Sequence, residues 1–352
     1  MVEDISVEEF VALLNKGGIV PIDVRSPGEF EEGTIPGSLN IPLFDNEERR
    51  EIGIAYKQES VDAAKDRGLE IVSAKLPQFI RELQSIPGRK AVFCWRGGMR
   101  SKTSATLLSI VAGRVYRVKG GIREYRRWVV DTLQSWNFTQ QAIVINGYTG
   151  TGKTAILRML HEKGYPVLDL EALAGHRGSI FGAVGMEPNN QRTFDSLLVH
   201  ELIRLKDTPY LLMEGESRRI GKAIMPDFLV EAKERAVQLY LEMPVKERVR
   251  NILSDYAPEQ YKAECLEAFR RIERKIHTPV AARIRKAMEE DRFAEAVQLL
   301  LEYYYDPKYE YTIGEYAAEL VTLQADNVKE AAEKIEVYLK KWTKKAERAK
   351  HV

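Results

Sequence analysis

The sequence predicts two α/β domains in tandem, each built on a mainly parallel sheet, and three observations carry that prediction. Apolar, β-branched segments of strand length alternate with helix-periodic ones both before and after Gln141. In the first half one such strand runs into a cysteine- and glycine-bearing loop, CWRGGMRS, and then a helix. In the second half another runs into GYTGTGKT and again a helix. The 352 residues suit roughly two domains. A composition of 44% hydrophobic and 30% charged residues can bury sizeable cores and excludes a wholly disordered chain.

The elements follow in order. Ser6 and Glu9 form a capping box ahead of Phe10, Val11, Leu13 and Leu14, so a helix is expected there, closed by Gly17 and Gly18. Ile19 to Val24 reads as a strand and Ser26 to Gly37 as loop. Helical periodicity returns at Val72 to Leu83. A strand is expected at Lys90 to Phe93, a helix from Arg100 to Val111, a strand at Val115 to Lys119, and a helix around Trp128. The second series opens with a strand at Ala142 to Asn146 and a helix at Ala155 to Lys163. Strands at Pro166 to Leu170, Tyr210 to Met213 and Ala236 to Met243 come next. After Pro244 the pattern is helical, with Thr278 and Pro279 starting one helix and Asp326 or Asn327 capping the last. The division expected is 1–130 for the first domain, 131–141 as connector, 142–310 for the second, and 311–352 as a C-terminal helical segment.

Charge and cysteine usage narrow the chemistry. A formal net charge of +1 gives no global attraction to nucleic acid. The stretch from Arg89 to Arg127 is nonetheless strongly basic, opposed only by Glu124, and reads as either a solvated face or a phosphate-binding surface. The lysines near the C-terminus, through Lys345, Arg348 and Lys350, read as a solvated face. No apolar run reaches the roughly 18 residues a membrane span needs, and no secretion signal is legible at Met1 to Glu9, so a cytoplasmic location and no membrane partner are expected. Two cysteines are too few for a disulfide framework.

Gly147 to Thr154 satisfies the G-x-x-x-x-G-K-[ST] pattern of a phosphate-binding loop, in the strand–loop–helix context the mechanism requires. Gly147, Gly150, Thr151 and Gly152 let backbone N–H groups turn around phosphate oxygens. Lys153 is expected on terminal oxygens and Thr154 on a magnesium ion. Glu214 and Glu216, following the Tyr210 strand, are candidate acid/base or metal-orienting groups, with pairing to Arg218 or Arg219 as the alternative. His176, Arg177, Arg218 and Arg219 are candidate anion or RNA contacts, and Arg248 and Arg250 fall where a lid would lie. Cys94, beside Arg96 and Arg100 on a loop entering a helix N-terminus, is the candidate catalytic thiol. Such a setting favours the thiolate and cradles an oxyanion, provided that solvent reaches the sulfur. Cys265, within a helical pattern, reads as packing. Tyr303 to Tyr311 reads as packing or as a stacking surface for an unpaired base.

IDVRSPGEFEEGTIPGSLNIPL (Ile22 to Leu43), FCWRGGMRS (Phe93 to Ser101) and VKGG (Val118 to Gly121) resemble the rhodanese family, with Asp23 and Arg25 matching its structural pair and Cys94 its sulfur carrier. Thr34 stands where many members carry His, and the Cys94 to Arg100 loop is one residue longer than in most, like that of related phosphatases. Together with GYTGTGKT, HRGSIFG (His176 to Gly182), EGESRRIG (Glu214 to Gly221) and YYDPKY (Tyr304 to Tyr309), the chain resembles the tRNA 2-selenouridine synthase family over nearly its whole length. The fold implied is a rhodanese-like α/β domain plus a P-loop NTPase-like parallel α/β domain with a helical C-terminal part. The activity implied is replacement of sulfur by selenium in the wobble 2-thiouridine of tRNA. Selenophosphate and geranyl diphosphate are then co-substrates, an S-geranyl intermediate is formed, and no cofactor is tightly bound. The partners implied are the anticodon region of 2-thiouridine-containing tRNAs and a selenophosphate-supplying enzyme. The alternative is a sulfurtransferase or phosphatase fused to an ATP-dependent kinase, which leaves ATP as a ligand of the phosphate loop open.

Overall fold

A computed structural model describes residues 1–310 and 319–350, the side chains of 309, 310 and 345–350 excepted. Tyr309, Tyr311, Lys345, Arg348 and Lys350 therefore lie outside the described side chains. By internal contacts the chain divides into Met1–Ser135 with Asp195–His200, and Trp136–Phe194 with Glu201–Val352.

The first unit is a five-stranded, all-parallel sheet of β1 (Val2–Ile5), β2 (Val20–Asp23), β3 (Leu39–Asn40), β4 (Lys90–Phe93) and β5 (Val115–Val118). Its order is β1-β5-β4-β2-β3. The helix Val7–Asn15 carries the expected capping box, and β4 falls on the expected residues. Several features differ from expectation, beginning with β1 and β3, which the expected series lacked. Pro27–Glu31 is a short helix with Pro at its first turn, not loop. A helical pair, Asn46–Gln58 and Val61–Ser85, fills the span where periodicity showed only its last turns. Asn46–Gln58 buries only Ala55 fully, which leaves little apolar stripe for a sequence reading to find.

The second unit is also a five-stranded parallel sheet, of β6 (Gln141–Gly147), β7 (Val167–Leu168), β8 (Tyr210–Glu214), β11 (Val237–Glu242) and β12 (Leu320–Gln324). Its order is β12-β11-β6-β8-β7. A two-stranded antiparallel ribbon, β9 (Arg219–Ile220) and β10 (Ala223–Ile224), stands apart. The strand expected at Pro166 to Leu170 is only two residues long, because Asp169 already caps a helix, Leu170–Ala174. The C-terminal segment is not purely helical. β12 returns to the sheet edge, and Asn327 then accepts from the Glu330 N–H to open the last helix, Val328–Lys350. Its Ala331, Ala332, Ile335 and Leu339 close one core face against Ile143, Ile145, Leu239 and Leu241. β6 lies between β8 and β11, so its carboxyl end opens at the point where strand order reverses, the usual ligand crevice of such sheets.

Candidate functional site

The phosphate loop leaves the end of β6 and feeds the helix Lys153–Glu162. Gly147, Gly150 and Gly152 have φ of 146°, 84° and 74°, values that disfavour side chains. A Cβ at Gly150 would lie 2.8 Å from the Arg248 carbonyl oxygen, so this glycine is also demanded by space. The Lys153 ammonium donates to the Gly147 and Tyr148 carbonyls at 3.2 and 3.4 Å, and Thr154 Oγ1 donates to Glu171 Oε2 at 2.6 Å. Arg248 is no lid residue. Only 3% exposed, it donates to the Thr149 carbonyl at 2.8 Å and makes a bidentate pair with Asp306 at 2.9 and 2.5 Å. Asn251 donates to the Gly150 carbonyl. The Asp306 of the YYDPKY motif thus buttresses the phosphate loop from behind. Arg250 is exposed and pairs with Glu247.

A pocket of about 440 Å³ opens over this loop, lined by Lys153, Thr154, Glu171, Arg177, Glu216 and Lys308 among others. Burial, with Glu216 nearby, pushes the Glu171 carboxyl up to about 7. Glu214 is fully buried and raised well above the ordinary range, by burial first and then by Asp169 and Glu171. Its Oε1 accepts from the Glu171 N–H at 2.7 Å, while Oε2 has no partner among the described residues. Of the two expected glutamates, then, Glu216 lines the pocket and Glu214 stands behind it. Among the described residues neither pairs with an arginine: Arg218 pairs with Asp227 on the surface, and both Arg218 and Arg219 lie outside the pocket lining. Arg177 does line it, with its guanidinium 4.8 Å from the Tyr256 ring. His176 does not. Burial and then Arg177 push its pKa down, its Nδ1 accepts from the Gly178 N–H, and Gly182 and Gly221 pack against its ring, which makes it part of the loop's own fold. Glu171 and Lys308 were missed in the sequence. The first is hidden in a five-residue helix, and the second lies in YYDPKY, more than 150 residues along the chain from the phosphate loop, so that only folding brings it to the pocket.

Among the described residues no group of three or more His, Cys, Asp or Glu is arranged to chelate a metal. Magnesium needs less, usually one or two carboxylates with substrate phosphate. Thr154, Glu171 and the partnerless Glu214 Oε2 fit that demand.

In the first unit Cys94 follows β4, and its loop enters the helix Met99–Ala112. The loop is closed by the glycines of VKGG. A Cβ on Gly121, at φ 58°, would stand 2.0 Å from the Cys94 carbonyl oxygen, which instead accepts from the Ile122 N–H. The N–H groups of Trp95 to Gly98 donate to no protein acceptor among the described residues, the condition of an anion cradle. The expectation of an open thiol is not met. Cys94 is 3% exposed, its Sγ donates to Ser101 Oγ at 3.2 Å, and it belongs to the core with Ile22, Val92 and Leu108. A reagent reaches it only if residues covering it move. Arg96 is exposed, but Arg100 is held by Glu29 at 2.5 and 3.2 Å. Burial pushes that carboxyl up, yet Arg100 outweighs it and keeps Glu29 below the ordinary range. Arg117 reaches the Gly97 carbonyl at 3.2 Å. The Asp23–Arg25 pair is fully buried at 2.6 Å, and Thr34 donates to Asp23 at 2.8 Å. Cys265 is buried in a helix, with its thiol pushed up to about 11, as packing requires.

Fold and site together define a rhodanese-like domain joined to a phosphate-loop α/β domain. A family described as rhodanese-like domain matches residues 6–127, and one described as tRNA 2-selenouridine synthase AAA domain matches residues 140–345. The chain belongs to the tRNA 2-selenouridine synthase family. It is 34% identical to the protein of that name from Nitrosomonas europaea, over 72% of this chain and 67% of the relative. With the Nitrosomonas eutropha protein it shares 35% identity over 67% of this chain, and it spans only 62% of that relative's length. With the Sulfurovum sp. protein it shares 30% over 91% and 94%. Among solved structures, the N-terminal domain of a putative ATP/GTP binding protein from Clostridium difficile 630 is 35% identical, covering 36% of this chain and 99% of that one, with a TM-score of 0.33.

Proposed function

We propose that this chain replaces sulfur by selenium in the wobble 2-thiouridine of tRNA, in two steps served by two loops. In the first, the thiocarbonyl sulfur attacks C1 of geranyl diphosphate. The new S–C bond forms as the C–O bond breaks, diphosphate leaves with the bonding pair, and the base loses its N3 proton. Lys153 and the backbone amides of the phosphate loop neutralise the diphosphate as its charge grows. Magnesium, held by Thr154 and Glu171, would add further charge neutralisation. In the second step the selenium of selenophosphate bonds to C2 and the C2–S bond breaks. Geranylthiolate leaves and takes a proton, and water cleaves the Se–P bond to give phosphate and the selenocarbonyl. The Cys94 loop, with its unoccupied amides and Arg96, holds the selenium donor.

The observation that carries this reading over a kinase is the wall of the phosphate pocket. Thr149, Ser179, Ile252, Tyr256 and Tyr305 are shared with a second, apolar pocket lined by Phe181, Cys265, Met288, Phe293 and Leu300. At about 50 Å³ it must widen to take ten carbons, but a hydrocarbon beside a diphosphate grip suits a prenyl donor better than a nucleotide. The test is mass analysis of nucleosides from 2-thiouridine-containing tRNA, after geranyl diphosphate alone and then after selenophosphate. S-geranyl-2-thiouridine followed by 2-selenouridine is expected. ATP hydrolysis dependent on Lys153, with no prenylated nucleoside, would establish the kinase instead.

A further inference from the structure

The helical pair Asn46–Gln58 and Val61–Ser85 forms a groove of about 590 Å³ with the first turn of the helix that starts at Met99. Its floor is Leu43, Phe44, Ile52, Ala64 and Val72, all apolar. Leu43, Phe44 and Val72 belong to the same packed cluster as Cys94, so the groove floor and the thiol's surroundings are continuous. Tyr56, Val61, Leu69 and Met99 stand exposed along its rim at 61%, 50%, 67% and 66%. That is a run of apolar surface which folding alone does not account for. Arg49, Lys57, Lys65 and Arg100 also line it, with Arg49 and Arg100 paired to Glu29 and Lys65 to Asp62.

We propose that this groove receives the apolar chain carried on the sulfur of the RNA base during the selenium step, and holds it as the prenylthiol departs. The proposal rests on the two-step reading above. Two features select this occupant. Met99 and Arg100, the residues that complete the Cys94 loop, line the groove, so a chain attached to the displaced sulfur extends into it from the reacting carbon. Its volume lies within the roughly 300–1,000 Å³ of small-molecule sites.

Binding of synthetic anticodon stem-loops bearing S-geranyl- or S-methyl-2-thiouridine tests it without depending on the prenylation step. The full-length protein is expected to bind the geranyl form at least about tenfold more tightly. Leu69→Glu is expected to remove that preference while leaving S-methyl affinity within twofold, and Leu69→Met to keep it. Unchanged melting would show that Leu69→Glu, at an exposed position, is folded, and Val61→Glu serves as a second variant if it is not. Equal affinity of the wild type for the two stem-loops, or a preference that survives both acidic variants, would overturn the groove assignment. Absence of any prenylated nucleoside from the wild-type reaction would instead overturn the two-step reading, whatever the stem-loops show.

Discussion

The two loops share a plan, strand to glycine turn to helix N-terminus, and differ in what surrounds them. Around Gly147–Thr154 the side chains are engaged: Lys153 on loop carbonyls, Thr154 on Glu171, Arg248 between Thr149 and Asp306. Around Cys94 the sulfur is buried and the cations divide, Arg100 held by Glu29 and Arg96 exposed. On the proposed reading, the loop that grips the leaving diphosphate has its side chains braced from behind, and the loop that holds the selenium donor keeps one arginine exposed and its thiol covered.

The brace offers the largest effect. Asp306→Ala leaves Arg248 buried and unpaired, and about 3–5 kcal/mol of stability is expected to go, read from denaturant unfolding. A loss under about 1 kcal/mol would show that the phosphate loop holds itself. Next, Lys153→Ala is expected to slow prenyl transfer by about 10²–10³, by analogy with removal of a single charge-stabilising donor. An unchanged rate would mean that the loop's amides suffice. The carboxylates come third. With the Glu171 pKa raised from 4.5 to about 7, the folded state holds a proton that the unfolded state has released. Stability is therefore full below about pH 4.5 and falls by about 3 kcal/mol as pH rises to about 7. Glu171→Gln should flatten this part of the profile, and a slope unaltered by that change would place the titration on Glu214. Smallest is Ser101→Ala, which removes the acceptor of the Cys94 thiol. It is expected to cost about 1 kcal/mol and to speed alkylation of Cys94. No change in alkylation would show that packing alone covers the sulfur.

What the sequence displayed follows the same contrast. The phosphate loop was legible because its function needs particular residues at fixed spacing, and both flanking elements show clear apolar patterns. Its supports were not, since Asp306 is 58 residues from Arg248 and only folding brings them together. Glu171 was hidden because the strand before it is cut to two residues by the Asp169 cap. In the first unit, β4 and the cysteine loop could be placed from sequence, but the burial of Cys94 could not. The flanking glycines suggested openness, whereas Gly121 is there to let the next helix press onto the Cys94 carbonyl. Of the helical pair that forms the groove only Val72 to Leu83 was legible, because exposed apolar residues such as Tyr56, Val61 and Leu69 break the one-sided pattern by which helices are found.

The division of labour between the loops is tested most directly by exchanging intermediates between two variants and weighing the nucleosides. Lys153→Ala is expected to leave 2-thiouridine unprenylated, yet to convert tRNA already bearing S-geranyl-2-thiouridine to the selenium form. Arg96→Ala, which removes the exposed cation that holds the selenium donor, should accumulate the geranylated nucleoside. If either variant lost both conversions while remaining folded, or retained both, the two loops would not be separate sites for separate steps.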